Sequence, residues 1–345
     1  MNIDSLIRDN IKALKSYSSA RDEFQNTSDD LVFLDANENP FNNGVNRYPD
    51  PLQSNLKSRL SELKNIPAEN ILLGNGSDEV LDLIFRVFCE PNRDNIITLP
   101  PTYGMYEVLA NTNAVEVKSI SLNQDFQPIV ESVLKTANSN TKLLFLCSPN
   151  NPTANSFNSD IVEDLLRQFK GIVVIDEAYI DFSSKESWLS RLFDFPNLIV
   201  TQTLSKAYGM AGIRLGICYA STNIITVLNK IKPPYNVSNL TQQKAFQGLF
   251  NLNIIKRDIK NIMEQRSVLI SELEKNQFVK KIYPSDTNFI LVKVDNALRR
   301  YKQLLNNGIV VRNRTKEIGC NNCLRITVGT EKENKKLINV LKAIQ

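Results

Sequence analysis

One lysine sits among hydroxyl-bearing and small residues in Thr203-Leu204-Ser205-Lys206-Ala207-Tyr208-Gly209-Met210-Ala211-Gly212-Ile213-Arg214-Leu215-Gly216. A partly desolvated amine with cationic neighbours has a lowered pKa and can attack a carbonyl carbon near neutral pH. The hydroxyls of Thr203 and Ser205 and the guanidinium of Arg214 are groups that hold a phosphate. A surface lysine at a strand–helix junction would produce the same window, so the rest of the chain must decide.

Further polar residues fall directly after apolar runs. Asp176 closes Gly171-Ile172-Val173-Val174-Ile175. A buried carboxylate needs a partner. A protonated pyridine nitrogen is a suitable one, because the ion pair keeps the ring cationic and able to accept electrons. A helix cap or an internal salt bridge would also satisfy it. Asn151 lies in Ser148-Pro149-Asn150-Asn151-Pro152-Thr153 and Tyr179 follows Asp176-Glu177-Ala178. Both can donate to a phenolate oxygen, although Asn-Pro also initiates turns. Tyr103 in Pro100-Pro101-Thr102-Tyr103-Gly104 can lie against a flat ring or pack in the core. Gly74-Asn75-Gly76-Ser77-Asp78-Glu79 opens a helix whose free N–H groups form an anion site, with Ser77 as an ordinary N-cap the alternative. An amine that condenses with aldehydes beside a phosphate seat suggests pyridoxal 5'-phosphate. Arg325 is embedded in Cys323-Leu324-Arg325-Ile326-Thr327, and Arg312 follows Ile309-Val310-Val311. Strand arginines near a core pair with an anion, either a ligand or an internal carboxylate. Arg21 beside Tyr17 is a weaker instance.

These residues need a scaffold. Apolar runs at Ile71–Leu73, Asn95–Leu99, Ala114–Ile120, Lys142–Cys147, Ile172–Asp176 and Leu198–Thr203 predict strands. Between them Val80–Phe88, a stretch near Pro128–Thr136, and Ser159–Phe169 predict helices. That alternation implies βαβ units and a mostly parallel sheet covered by helices on both faces, with ligands beyond the strand ends. Before it, Asp4–Lys15 predicts a short helix and Leu31–Leu34 a strand. Asp50 is an N-cap candidate with Pro51 at the first helical position, ahead of Leu52, Leu56, Leu60 and Leu63. Beyond residue 235, Asn239–Glu274 reads as long helix. Strands at Val279–Tyr283, Asn288–Val294, Ile309–Val311 and Cys323–Thr327 follow, with helices Asn296–Asn307 and Glu331–Ile344. The expected organisation is an arm and part of a small domain over 1–45, a large three-layer α/β/α domain over 46–235, and a smaller α/β domain over 236–345.

Composition narrows the chemistry. The 345 residues are 42% apolar, enough for two substantial cores. The formal charge of +4 comes from interspersed signs (41 basic, 37 acidic), so no nucleic-acid partner is expected. Apolar runs are too short to span a bilayer. Asp4, Arg8, Asp9 and Lys12 stand where a signal peptide needs an apolar core, so a cytoplasmic location is expected. The absence of histidine removes Ser-His-Asp triads, Cys-His dyads and His-ligated metals. Cys89, Cys147 and Cys218 read as reduced core thiols. Cys320 and Cys323 have the spacing of half a metal site with nothing to complete it, so no metal is expected.

Taken in order, these motifs resemble the fold-type I, pyridoxal-phosphate-dependent aminotransferases of the aspartate-aminotransferase-like superfamily. Asn37-Glu38-Asn39-Pro40, Asn46-Arg47-Tyr48-Pro49 and Pro100–Tyr106 add to those above, and the resemblance covers nearly the whole chain. It implies that Lys206 binds the cofactor aldehyde and later shuttles a proton, that Asp176 pairs with the ring nitrogen, that Asn151 and Tyr179 hold the ring oxygen, and that Tyr103 stacks on the ring. It implies a phosphate held by Ser77, Asp78, Thr203, Ser205 and Arg214, and a homodimer in which Tyr48 reaches the partner's site. Tyr17, Asn37, Arg312 and Arg325 resemble residues on the substrate side. The motif set is most similar to the branch that exchanges an amino group between L-histidinol phosphate and 2-oxoglutarate, giving imidazole-acetol phosphate and L-glutamate, in histidine biosynthesis. Aromatic-amino-acid transamination and threonine-phosphate decarboxylation are the alternatives within the fold. One departure is Ala154, where the usual Asn-Pro-Thr-Gly has glycine. A slightly different backbone path is expected there.

Overall fold

The computed structural model describes residues 3–16 and 32–344. The large unit is built on β1 (Ile71–Asn75), β2 (Asn95–Thr98), β3 (Glu116–Ser119), β4 (Thr141–Cys147), β5 (Ile172–Asp176), β6 (Leu198–Thr203) and β7 (Leu215–Ala220). They form a seven-stranded sheet in the order β1-β7-β6-β5-β4-β2-β3. β7 runs antiparallel to both neighbours and the other pairings are parallel.

The central strand explains why the sequence folds this way. β5 is buried along its whole length. Its side chains alternate between two cores: Ile172 and Val174 face one, Val173 and Ile175 the other. Burying each such side chain stabilises by about 1.5–3 kcal/mol, which is why a strand covered on both faces reads as an unbroken apolar run. The helices Ser77–Phe88 and Thr222–Ile231 close one face and the helices Ser54–Lys64 and Ser159–Gln168 the other. The α/β class and the three layers are therefore as expected.

The smaller unit carries a four-stranded antiparallel sheet: β8 (Val279–Ile282), β9 (Phe289–Val294), β10 (Arg312–Asn313) and β11 (Cys323–Thr327), ordered β10-β11-β9-β8. The helices Leu252–Glu274, Ala297–Asn306 and Glu331–Ala343 share its core. The last starts on a capping box between Thr330 and Glu333.

Several elements depart from expectation. The first helix is split into a 3₁₀ turn at Ile3–Leu6 and a helix at Asp9–Ala13. Ile3, Ile7 and Ile11 still share one buried face, and that face packs on the large unit. Residues 32–34 form no strand, with Val32 and Leu34 exposed; Leu31 lies outside the described residues. Asp50 is not the N-cap residue, and Pro51 is not the first helical position: the Asp50 carboxylate closes a turn by accepting from the Leu52 N–H and reaches the first helical N–H, that of Ser54. The helix starts at Ser54, after Gln53 in the left-handed region. The expected strand Ile309–Val311 is displaced to Arg312–Asn313, where the pairing with β11 begins. The helical stretch after residue 235 is two helices, Asn239–Gly248 and Leu252–Glu274. The first of these, expected in the small unit, adds Ala245 to the large-unit core. The helix Met105–Thr112, the helix Thr222–Ile231 and β7 were not anticipated.

Candidate active site

At the carboxyl edge of β4, β5 and β6 the chain turns polar, because there the strands leave the two cores. One cavity opens at this edge. It is lined by Ser77, Asp78, Tyr103, Cys147, Asn151, Asp176, Ala178, Tyr179, Thr203, Ser205, Lys206 and Arg214. Ten of the candidate residues therefore converge from five separate stretches of sequence.

Asp176 forms the floor. It is buried, its Oδ2 accepts from the Tyr106 hydroxyl at 2.8 Å, and its Oδ1 accepts from the Ala178 N–H at 3.2 Å. Burial pushes its carboxyl pKa up, while the Tyr106 hydroxyl and the Ala178 amide pull it back. Tyr106 is fully buried and stacks on Phe145 of β4, so the acceptor geometry at Asp176 is fixed by core packing. Sequence reasoning assigned Tyr106 no role. Its position three residues after Tyr103, at the head of the helix Met105–Thr112, was the available signal.

Lys206 stands in the turn after β6, with its amine 5.6 Å from the Tyr179 ring centre. Desolvation lowers its pKa, Arg325 and Arg214 lower it further, and Asp176 opposes them. The amine is thus biased toward the neutral, nucleophilic form. Tyr179 is buried, with its ring edge-on to Phe289 of β9 at 5.2 Å. Asn151 accepts through Oδ1 from Arg325 Nη1. That bond joins β11 to the loop after β4, and it leaves the Asn151 amide hydrogens as the side available to a ligand. The Tyr103 hydroxyl donates to Asp78 Oδ1 at 3.1 Å.

The candidate phosphate seat has a readable construction. The helix Ser77–Phe88 starts at Gly76, whose φ of 81° is a conformation open to glycine, and no side chain caps its first N–H groups. A Cβ on Gly76 would lie 2.5 Å from Arg214 Nη2, and a Cβ on Gly216 would lie 2.3 Å from the Ser77 nitrogen. Two glycines thus let the guanidinium and the β7 backbone close around the helix start. Thr203 acts inside its turn: its hydroxyl donates to the Leu215 carbonyl at 3.2 Å and accepts from the Ser205 N–H at 3.1 Å. This commits its proton, so Ser205, Arg214 and the helix amides are the donors that remain.

The donor set fits pyridoxal phosphate. A buried carboxylate has only neutral donors as hydrogen-bond partners, uncapped helix N–H groups sit beside a guanidinium, and a lysine of lowered pKa lines the same cavity. Arg325 on β11 faces Arg312 on β10 across the strand pair. Arg325 is held below its usual pKa by burial, then by Arg314 and Arg312. The Nε atoms of Arg325 and Arg314 are buried without an acceptor among the described residues. Arg314 was missed in the sequence because its flanks, Asn313 and Thr315, mark no strand.

Two candidates lie elsewhere. Asn37 and Tyr48 line a separate cleft with Glu38, Arg47 and Tyr235, and the Tyr48 ring stacks on Tyr235 at 4.4 Å. Tyr17 and Arg21 are outside the described residues. Ala154 has φ 71°, a glycine-like conformation, so the loop keeps the left-handed turn in spite of its methyl group.

Fold and cavity are those of an aminotransferase, and the chain belongs to the aminotransferases of class I and II, whose family model matches residues 25–341. Its relatives within that class are histidinol-phosphate aminotransferases. It is 61% identical over 344 residues to that of Flavobacterium johnsoniae, covering 99% of both chains. To that of Parabacteroides distasonis it is 53% identical over 341 residues, covering 99% of this chain and 98% of the relative. Among solved structures, the histidinol-phosphate aminotransferase of Clostridium acetobutylicum superposes with a TM-score of 0.80 over 87% of this chain and 91% of its own, at 24% identity. The Sinorhizobium meliloti enzyme in complex with pyridoxal-5'-phosphate superposes with a TM-score of 0.77, over 87% of this chain and 84% of its own, at 23% identity.

Proposed function

We propose that this chain transfers an amino group between L-histidinol phosphate and 2-oxoglutarate, giving imidazole-acetol phosphate and L-glutamate, as a pyridoxal-phosphate-dependent step of histidine biosynthesis. The observation that carries this reading is the cavity that gathers the Lys206 amine, the buried Asp176 carboxylate and Asn151, whose Oδ1 is held by the Arg325 guanidinium. Bound pyridoxal phosphate supplies a cationic ring that takes up the electron pair left when the substrate Cα loses its proton.

The chain's own residues do the rest. Lys206 would hold the cofactor through its aldehyde carbon, and its amine, once free, would be the base that holds and moves the substrate Cα proton. Asp176 would keep the ring nitrogen protonated, Asn151 and Tyr179 would donate to the ring oxygen, and Tyr103 would flank the ring. Ser77 and Asp78 amides, Ser205 and Arg214 hold the phosphate, with Thr203 shaping the turn that presents Ser205. Arg325, with Arg312 on the paired strand, receives the substrate's anionic end, and the arm residue Tyr17 completes that side, whereas Asn37 stays with Tyr48 in the separate cleft. A wall of guanidinium groups suits both a carboxylate and a phosphate, so glutamate and histidinol phosphate can use it in turn.

Tyr48 is half exposed and far in its contacts from the Lys206 cavity. This supports a homodimer in which it reaches the partner's phosphate. No helix among the described residues is long and apolar enough to cross a membrane, and the five cysteines are buried free thiols, which suits a cytoplasmic enzyme.

The test is relative kcat/KM on histidinol phosphate, phenylalanine and threonine phosphate with the loaded enzyme. Histidinol phosphate should be preferred. A preference for phenylalanine, or carbon dioxide release from threonine phosphate, would replace this reading with one of the alternatives.

A further inference from the structure

The segment from Lys232 to Asn236 runs beneath the start of the helix Ser77–Phe88 and touches no cavity-lining residue directly through its amide. The Asn236 side chain nonetheless holds the turn that presents Ser77 and Asp78. Its Nδ2 donates to the Leu73 carbonyl at 3.0 Å and to Glu79 Oε2 at 2.8 Å. The same Glu79 oxygen accepts from the Asn75 N–H, so the carboxylate reaches back across its own turn. One amide thus pins both ends of the stretch from residue 73 to residue 79, and Gly76, Ser77 and Asp78 lie between.

Asn236 is itself oriented. Its Oδ1 accepts from Lys232 Nζ at 3.2 Å and from Gln53 Nε2 at 3.5 Å. The Lys232 amine also donates to the carbonyls of Pro51, Pro233 and Pro234 at 3.1, 3.2 and 3.5 Å. An ammonium held among carbonyls cannot accept, so it forces the oxygen of Asn236 toward itself and the NH₂ toward Glu79. An amide flip would place Oδ1 against the Glu79 carboxylate and leave the Leu73 carbonyl without its donor.

We infer that Asn236, oriented by Lys232, is a positioning residue for the cofactor phosphate, acting through Glu79 on the direction of the Ser77 and Asp78 N–H groups. The inference rests on the reading of this cavity as a pyridoxal-phosphate site. Backbone amides bind an anion only while they are aimed at it, and the loop start has no side-chain cap of its own. The Glu79 link, together with the bond to Leu73, supplies the missing rigidity.

The test uses Asn236→Ala in the full chain, with dissociation constants for pyridoxal phosphate and for pyridoxal, which lacks the phosphate, measured by absorbance titration. Asn236→Ala should weaken pyridoxal phosphate about tenfold and change pyridoxal by less than about twofold, the size expected for loss of a hydrogen bond to a charged group. The ³¹P signal of bound cofactor should broaden or shift with it. Glu79→Gln keeps the side chain's length and should give the same selectivity in smaller measure, and it serves if Asn236→Ala does not fold. Equal weakening of both ligands in the variants, or undisturbed binding of both, overturns the inference. If the parent protein itself binds neither ligand, the reading of the cavity is what fails.

Discussion

Two edges meet at this site, and they are finished to different degrees. At the carboxyl edge of the large sheet, Asp176 has a hydroxyl and an amide donor on its oxygens, and its neighbours are locked by core aromatics. At the β10–β11 edge of the small unit, Arg314 and Arg325 bury Nε atoms with no acceptor among the described residues, and Arg312 faces Arg325 as a like charge. Like charges held across a strand pair destabilise, and buried unsatisfied donors cost free energy. The difference teaches that the cofactor edge is organised by the chain itself, whereas the arginine edge keeps donor capacity beyond the Arg314–Glu317 pair, as the proposed seat for a substrate anion requires. Asn151 is where they join, through its bond to Arg325.

The comparison can be broken at its finished edge first. Asp176→Asn keeps the shape and removes the charge, and kcat should fall by about 10²–10⁴-fold in single-turnover assays. A loss below tenfold would mean that the ring nitrogen does not depend on this carboxylate. At the other edge, Arg325→Lys loses the two-pronged contact. KM for both glutamate and histidinol phosphate should rise by about 10–100-fold with a smaller change in kcat, because one guanidinium serves both anions. If only one substrate is affected, the shared seat is wrong.

A third experiment joins the edges. Arg325 is the first charged group among the causes that lower the Lys206 pKa. On the proposed role of Lys206, its free amine captures the cofactor aldehyde, so the rate of pyridoxal phosphate capture by apoenzyme should rise with pH through that pKa. Removing a cation makes the protonated lysine easier to form, which raises its pKa. The profile of Arg325→Gln should therefore move to higher pH than that of the parent, and a profile that stays or moves down contradicts the coupling. The smallest effect is expected at the seam. Ala154 holds a left-handed φ of 71°, its carbonyl accepts from the Asp286 N–H at 2.7 Å, and its methyl packs with Tyr179 and Phe289. Ala154→Gly relieves the backbone but loses the methyl contact, so thermal unfolding should show a net change within about 1 kcal/mol and unchanged kinetics.

Much of this was legible in the chain. β5 and β6 match their expected spans residue for residue, because a strand buried on both faces leaves an unbroken apolar run ending in a polar residue. The candidate residues that follow those runs gather in one cavity for the same reason. β7 escaped notice because Gly216 interrupts its apolar pattern, and that glycine answers to the Ser77 backbone across the sheet, not to strand propensity. Tyr106 and Arg314 escaped because their importance lies in tertiary contacts, to Asp176 and beside Arg325. The chain from Lys232 through Asn236 to Glu79 spans residues far apart in sequence, and no local pattern marks it. Asp50 misled because its carboxylate reaches past its own turn: it accepts from Leu52 inside the turn and from Ser54 at the first helical position, so the helix starts at Ser54 and not at Pro51, where a direct N-cap would place it.

The most direct test is borohydride reduction of the pyridoxal-phosphate-loaded protein followed by peptide mass mapping. The account predicts a reduced cofactor label on the peptide carrying Lys206, and in Lys206→Ala neither a label nor amino transfer. A label on a different lysine, or a Lys206→Ala protein that transfers amino groups at the parent's rate, would contradict it.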